Sequence, residues 1–118
     1  VGCESAEKVD VSQPLPEKLS AEQLILTTKL SWENALSDFY RDDWERLKEH
    51  AGRMNELVAR WKGEKAPETL AKEFADNVAG FESAVVRFQQ AVDAKNVEQV
   101  TDALKQIGKR VDAFQVMR

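Results

Sequence analysis

WERLKEHAGRMNELVARWKG, residues 44–63, is the stretch whose reading decides the fold. Its apolar positions Trp44, Leu47, Ala51, Met54, Val58 and Trp61 step 3, 4, 3, 4, 3. That spacing paints one stripe along a helix and has no match to the two-residue alternation of a strand. Upstream, Asp42 followed by Glu45 reads as a capping box, and Asp43 adds negative charge to the positive first turn. Gly63 is placed to end the helix in the left-handed conformation. The same period continues downstream. Pro67 suits a first helical turn, and Leu70, Phe74, Val78, Phe81, Val85, Phe88 and Val92 predict a third helix of about 27 residues, roughly 40 Å long at the usual rise per residue. Asn96 with Gln99 reads as the next capping box, before a stripe of Val97, Val100, Leu104, Ile107, Val111 and Phe114. On the N-terminal side, Ser20 with Gln23 forms a capping box and Leu19 with Leu24 a hydrophobic staple. The first helix is expected to bury Ile25, Trp32, Leu36 and Phe39. Leu26 and Leu30 widen that stripe, while Thr27, Thr28 and Ser31 weaken its helical propensity.

Four amphipathic segments joined by short links predict an all-α, antiparallel up-down-up-down four-helix bundle over residues 20–118. Pro67 and the internal caps exclude one continuous coiled coil. A length of 118 residues with 42% apolar content is one domain's worth of core. No apolar run approaches the roughly 18 residues of a spanning helix. Net charge is −4, and no face gathers lysine and arginine away from acids, so nucleic acid is not an expected partner. Residues 1–19 are the other expected unit. From 4 to 19 the sequence carries Ser12, Pro14 and Pro16 with no helical or strand period, which is the composition of an extended tether.

Side chains that could carry chemistry are few. His50 is the sole histidine, so no two-histidine zinc set can form within one chain, and Leu47 stands where the Glu-x-x-His motif of di-iron bundles needs a carboxylate. Glu45 and Glu49, one turn apart, read as a solvated face. His50 and Met54, at i and i+4, could present an imidazole and a thioether to a soft metal such as Cu(I). The simpler expectation places Met54 in the core as a gap-filler and His50 at the core boundary with its polar edge in water. Gly52, Gly80 and Gly108 interrupt three helices, and they fit close helix approach better than a pocket for a ligand between helices. No nucleophile stands beside a base and no carboxylates converge, so no enzyme is expected.

Cys3, the only cysteine, follows Val1-Gly2 and precedes the polar run Glu4-Ser5-Ala6-Glu7-Lys8. This arrangement resembles the processed start of a bacterial lipoprotein. The resemblance implies an acylated Cys3 and a membrane anchor on an extracytoplasmic face of the envelope.

A second resemblance covers residues 42–118. Asp43-Trp44-Glu45 opens the second helix, Ala66-Pro67 leads into the third, and Phe81, Val85, Phe88 and Ala91 run along it. Asn96 breaks the chain before a final helix that ends in Arg118. This pattern is similar to that of the cytochrome c-prime family of periplasmic four-helix bundles. That family attaches haem through Cys-x-x-Cys-His in its last helix, where this chain has Val111, Phe114 and Gln115. What the resemblance implies is the family's scaffold with its cofactor position refilled by hydrocarbon. The expected function is therefore a haem-free, non-enzymatic, envelope-tethered module without a cofactor. It would contact a protein partner of unknown identity, or a second copy through Leu26 and Leu30. The alternative is a periplasmic carrier of a metal or of non-covalent haem, using His50 with Met54 or Met117.

Overall fold

The computed structural model describes residues 13–117. Four α-helices span Ala21–Tyr40 (α1), Trp44–Lys62 (α2), Ala71–Asp93 (α3) and Val97–Val116 (α4), with a single 3₁₀ turn at Glu68–Leu70 before α3. Each helix packs on its neighbours in sequence, and α4 closes the ring against α1, with no close backbone approach across either diagonal among the described residues. The protein is an all-α antiparallel four-helix bundle. No helix among the described residues is long and apolar enough to cross a membrane.

Capping chemistry sets where α1, α2 and α4 begin. Ser20 accepts from the Gln23 amide while the Gln23 side chain accepts from the Ser20 amide, the reciprocal box expected from the sequence. The α1–α2 and α3–α4 corners are built alike. Asp43 N–H donates to Asp38 O and Asp42 N–H to Phe39 O; at the other corner Asn96 N–H donates to Ala91 O and Lys95 N–H to Val92 O. Both are Schellman closures whose left-handed residue is not glycine, Asp42 at φ 61° and Lys95 at φ 52°. The next residue in each, Asp43 or Asn96, then caps the following helix.

Three local expectations need correction. The cap of α2 is Asp43, not Asp42, because Asp42 is consumed by the turn and its carboxylate accepts from the Trp44 indole at 2.8 Å. Gly63 ends α2 at φ −86°, with its amide shared between Ala59 O and Arg60 O, so no left-handed residue is needed there. The third helix is 23 residues long because residues 68–70 form the tighter 3₁₀ turn, which leaves Leu70 half-buried.

The stripes of α2, α3 and α4 are buried from Leu47 to Trp61, Phe74 to Val92 and Val100 to Phe114, whereas Val97 is exposed. Helix α1 departs from its expected face. Apart from Leu24 and Ile25 it buries Thr28, Ser31, Ala35 and Asp38, a stripe turned by about one residue, or 100°, from Trp32, Leu36 and Phe39. Those three larger side chains sit half-buried against the core's edge. The cause lies in Trp32. Its indole donates to Leu104 O at 2.8 Å and its ring covers Gly108, where an added Cβ would fall 2.6 Å from the ring. Gly80 lies likewise under the Arg110 guanidinium, while Gly52 faces open space. Close approach thus accounts for two of the three helical glycines.

Most of the expected tether lies outside the described residues. Its described end, residues 13–19, forms a strap on α2. Leu15 joins the core, the Arg53 guanidinium donates to Gln13 O, and the Arg60 guanidinium donates to Pro16 O at 2.7 Å.

Candidate functional site

His50 is the first site to test, since it is the one side chain from which a carrier could be built. It stands on α2 one turn after Leu47 and opposite the last turn of α1. Its side chain has no exposed surface, so the expectation of a boundary histidine is wrong. What draws the imidazole inward is Asp38, also buried, whose Oδ2 accepts from His50 Nε2 at 2.9 Å and from Arg46 Nε at 3.2 Å. A carboxylate can only accept here, so Nε2 carries the proton and Nδ1 is left as a lone pair. That Nδ1 meets no hydrogen-bond partner among the described residues. Burial holds the His50 pKa below its ordinary value, and Arg46 adds to this, whereas Asp38 and Glu49 oppose it. The result is a neutral, fixed imidazole with no opening to solvent.

The two methionines named as its carrier partners lie in different places. Met54 is buried one turn on, inside the core. Met117 lines a cleft of about 210 Å³ with Ala21, Ile25, Pro67 and Trp61 at the far end of the bundle. Trp61 lies eleven residues beyond His50 on α2, about 16 Å along the helix axis. His50 and Met117 are therefore not brought together. Among the described residues no three of His, Cys, Asp and Glu gather where a metal ion could be held. Cys3 lies outside the described residues.

Phe114, where the resemblance expected a haem attachment, sits in an aromatic cluster. Phe114 stacks on Trp61 with ring centres 3.7 Å apart and planes within 4°, and it meets the edges of Phe74 and Phe81, each at 5.9 Å. Val111 is buried one turn earlier on α4. The Trp61 indole is tied by a 3.0 Å bond to Thr28 Oγ1, whose own hydroxyl donates to Leu24 O. Neither a cysteine nor a histidine stands on α4, and Trp61, Phe74 and Phe114 also border the cleft that Met117 lines.

The functional geometry that sequence reasoning missed is polar. Asp38 sits in a helix whose apolar residues point to a different face, so the spacing gave no cue that a carboxylate would be buried. Arg53 is also buried, yet its only sequence signal is Glu56 three residues on, an ordinary surface pair whose Nε–Oε1 distance is 3.9 Å. Both become intelligible only through partners on other segments, Asp38 through His50 and Arg53 through Gln13. No protein-family model matches the chain, and neither a curated protein nor a solved structure is significantly similar to it.

Proposed function

We propose that this chain is a haem-free, lipid-anchored four-helix module of a bacterial envelope, anchored through Cys3 on an extracytoplasmic face, which works through protein contacts and performs no chemistry of its own. The observation that carries the reading is the Trp61–Phe114 stack with Val111 beside it, hydrocarbon filling the place that a cytochrome c-prime-like ancestor would give to its cofactor. The sealed Asp38–His50 pair supports the non-enzymatic part. A general base needs a reacting group within hydrogen-bond reach, and among the described residues Nδ1 meets no partner while the side chain has no exposed surface. Anchoring rests on the sequence around Cys3.

Two measurements test the proposal together. The full precursor expressed in a bacterium should partition with membranes, and Cys3→Ser should move it to the soluble fraction. Protein purified from that envelope should be colourless and free of stoichiometric copper or zinc. A Soret band, or a metal retained by wild type and lost in His50→Ala, would replace this reading with the carrier. Soluble behaviour of both forms would remove the anchor.

A further inference from the structure

The strap lies on α2 in the way a bound peptide lies in a recognition groove. Arg53 and Arg60 are seven residues apart on one flank of the helix, and each gives a guanidinium N–H to a main-chain carbonyl, Gln13 O and Pro16 O. The opposite flank is engaged elsewhere, since Asn55 bonds Gln89 and Lys62 bonds Glu82 on α3. Between the two gripped carbonyls, Leu15 is turned into the core at 9% exposure while Pro14 and Pro16 stay outside. The spacing matches. Three residues of polyproline-like chain rise about 9 Å, and seven residues of helix about 10 Å. Alternating carbonyl grips with one buried anchor is how extended proline-rich segments are recognised, because their stiffness makes docking cheap in chain entropy.

Arg53 adds an independent observation. Its side chain is 5% exposed, yet its Nε meets no hydrogen-bond partner among the described residues, and its nearest carboxylate oxygen, on Glu56, is 3.9 Å away. A buried guanidinium normally finds a carboxylate in paired geometry. Among the described residues the strap's carbonyl serves in its place. Carbonyls are common to every peptide. Selection must come from the leucine pocket and from the prolines beside it.

We propose that the Arg53–Arg60 flank of α2 is a binding site for an extended, proline-flanked leucine segment, occupied in cis by residues 13–16, and that a partner protein carrying the same short pattern takes the site by displacing the strap. This rests on the reading of the chain as a protein-contact module and names the chemistry of its partner.

The test uses the full chain and a labelled peptide with the sequence of residues 12–17, Ser-Gln-Pro-Leu-Pro-Glu, followed by fluorescence anisotropy. Leu15→Asp frees the groove, so this variant should bind the peptide at least tenfold more tightly than wild type. Adding Arg60→Ala should weaken that binding about tenfold, and a peptide with aspartate in place of leucine should not bind. A helical Leu15→Asp chain that ignores the peptide would overturn the proposal. Should Leu15→Asp fail to fold, the wild type decides: millimolar peptide must speed tryptic cutting after Lys18 several-fold by lifting the strap, and an unchanged rate overturns the site. A wild-type dimer that Leu15→Asp converts to monomer would assign the groove to a second copy's strap and end the partner reading. Membrane partition is blind to this groove. A soluble chain that binds the peptide loses the anchor and keeps the site, and an anchored chain that ignores it does the reverse.

Discussion

The two halves of this bundle are held by different physics. Between α3 and α4 the buried side chains are Phe81, Ala84, Val85, Phe88, Ala91 and Val92 against Val100, Ala103, Leu104, Ile107, Val111 and Phe114, and the one buried polar group, Asn77, is satisfied by Arg110 O at 2.9 Å. The other five buried polar or charged residues, Thr28, Ser31, Asp38, His50 and Arg53, all lie on α1 and α2. One half gains stability from non-directional burial and tolerates approximate contacts. The other adds to its own apolar stripe, from Leu24 and Ile25 to Leu47 and Trp61, a few directed bonds, each costly to leave unmade. The directed bonds lie in the half on which residues 13–16 are seated, gripped by Arg53 and Arg60.

The largest single effect should come from the aromatic stack where α4 of the hydrocarbon half meets α2. Phe114→Ala removes a ring that stacks on Trp61 and touches Phe74 and Phe81, and is expected to cost about 3–5 kcal/mol, the range for deleting a buried phenylalanine. Urea unfolding followed by circular dichroism measures it. A loss below about 1 kcal/mol would mean that this end of the bundle is loosely packed, and the contrast between the halves would fail at its stronger side.

Asp38→Ala probes the directed half and should cost less, about 2–3 kcal/mol. Two donors lose their acceptor, but they are not equivalent. The Arg46 side chain is 38% exposed and can turn to water, while His50 has no exposed surface and would keep both ring nitrogens unsatisfied. Asp38→Asn preserves an acceptor oxygen and should cost roughly half as much. Equal losses for alanine and asparagine would show that charge, rather than the hydrogen bond, holds the pair together.

The same contrast explains what could be read from the sequence. Helices α3 and α4, and α2 from Leu47 onward, were legible because hydrophobic burial writes itself as a period: Phe81, Val85, Phe88 and Val92 announce their face before any partner is known. Helix α1 was not. Its apolar residues Trp32, Leu36 and Phe39 take the seam's edge, where the Trp32 ring needs Gly108 beneath it and Leu104 O beside it, and the centre goes to Thr28, Ser31, Ala35 and Asp38. Small and polar residues at helical spacing look like a solvated face until a donor from another helix accounts for them. The strap was hidden for a related reason. Gln13 and Pro16 are gripped through their carbonyls, which every residue possesses, so only Leu15 between two prolines could have hinted at a docked segment.

Acidity separates the halves most finely, since only the α1–α2 half buries an imidazole. Folded His50 takes a proton less readily than a free imidazole, first because burial strips water from the cation, with the Arg46 charge acting in the same direction and Asp38 and Glu49 against it. Below the ordinary imidazole pKa near 6.5 the unfolded chain therefore binds a proton that the folded chain refuses. Stability should be flat above about pH 7.5 and fall as the pH drops through 6.5, with a slope from this group of at most about 1.4 kcal/mol per pH unit. Urea midpoints at pH 7.5, 6.5 and 5.5 measure the effect, and His50→Gln, which keeps a donor for Asp38 but cannot titrate, should remove most of it. If the slope between pH 7.5 and 5.5 survives in His50→Gln, acid sensitivity belongs to carboxylates elsewhere, and the polar seam is no more responsive to protons than the hydrocarbon one.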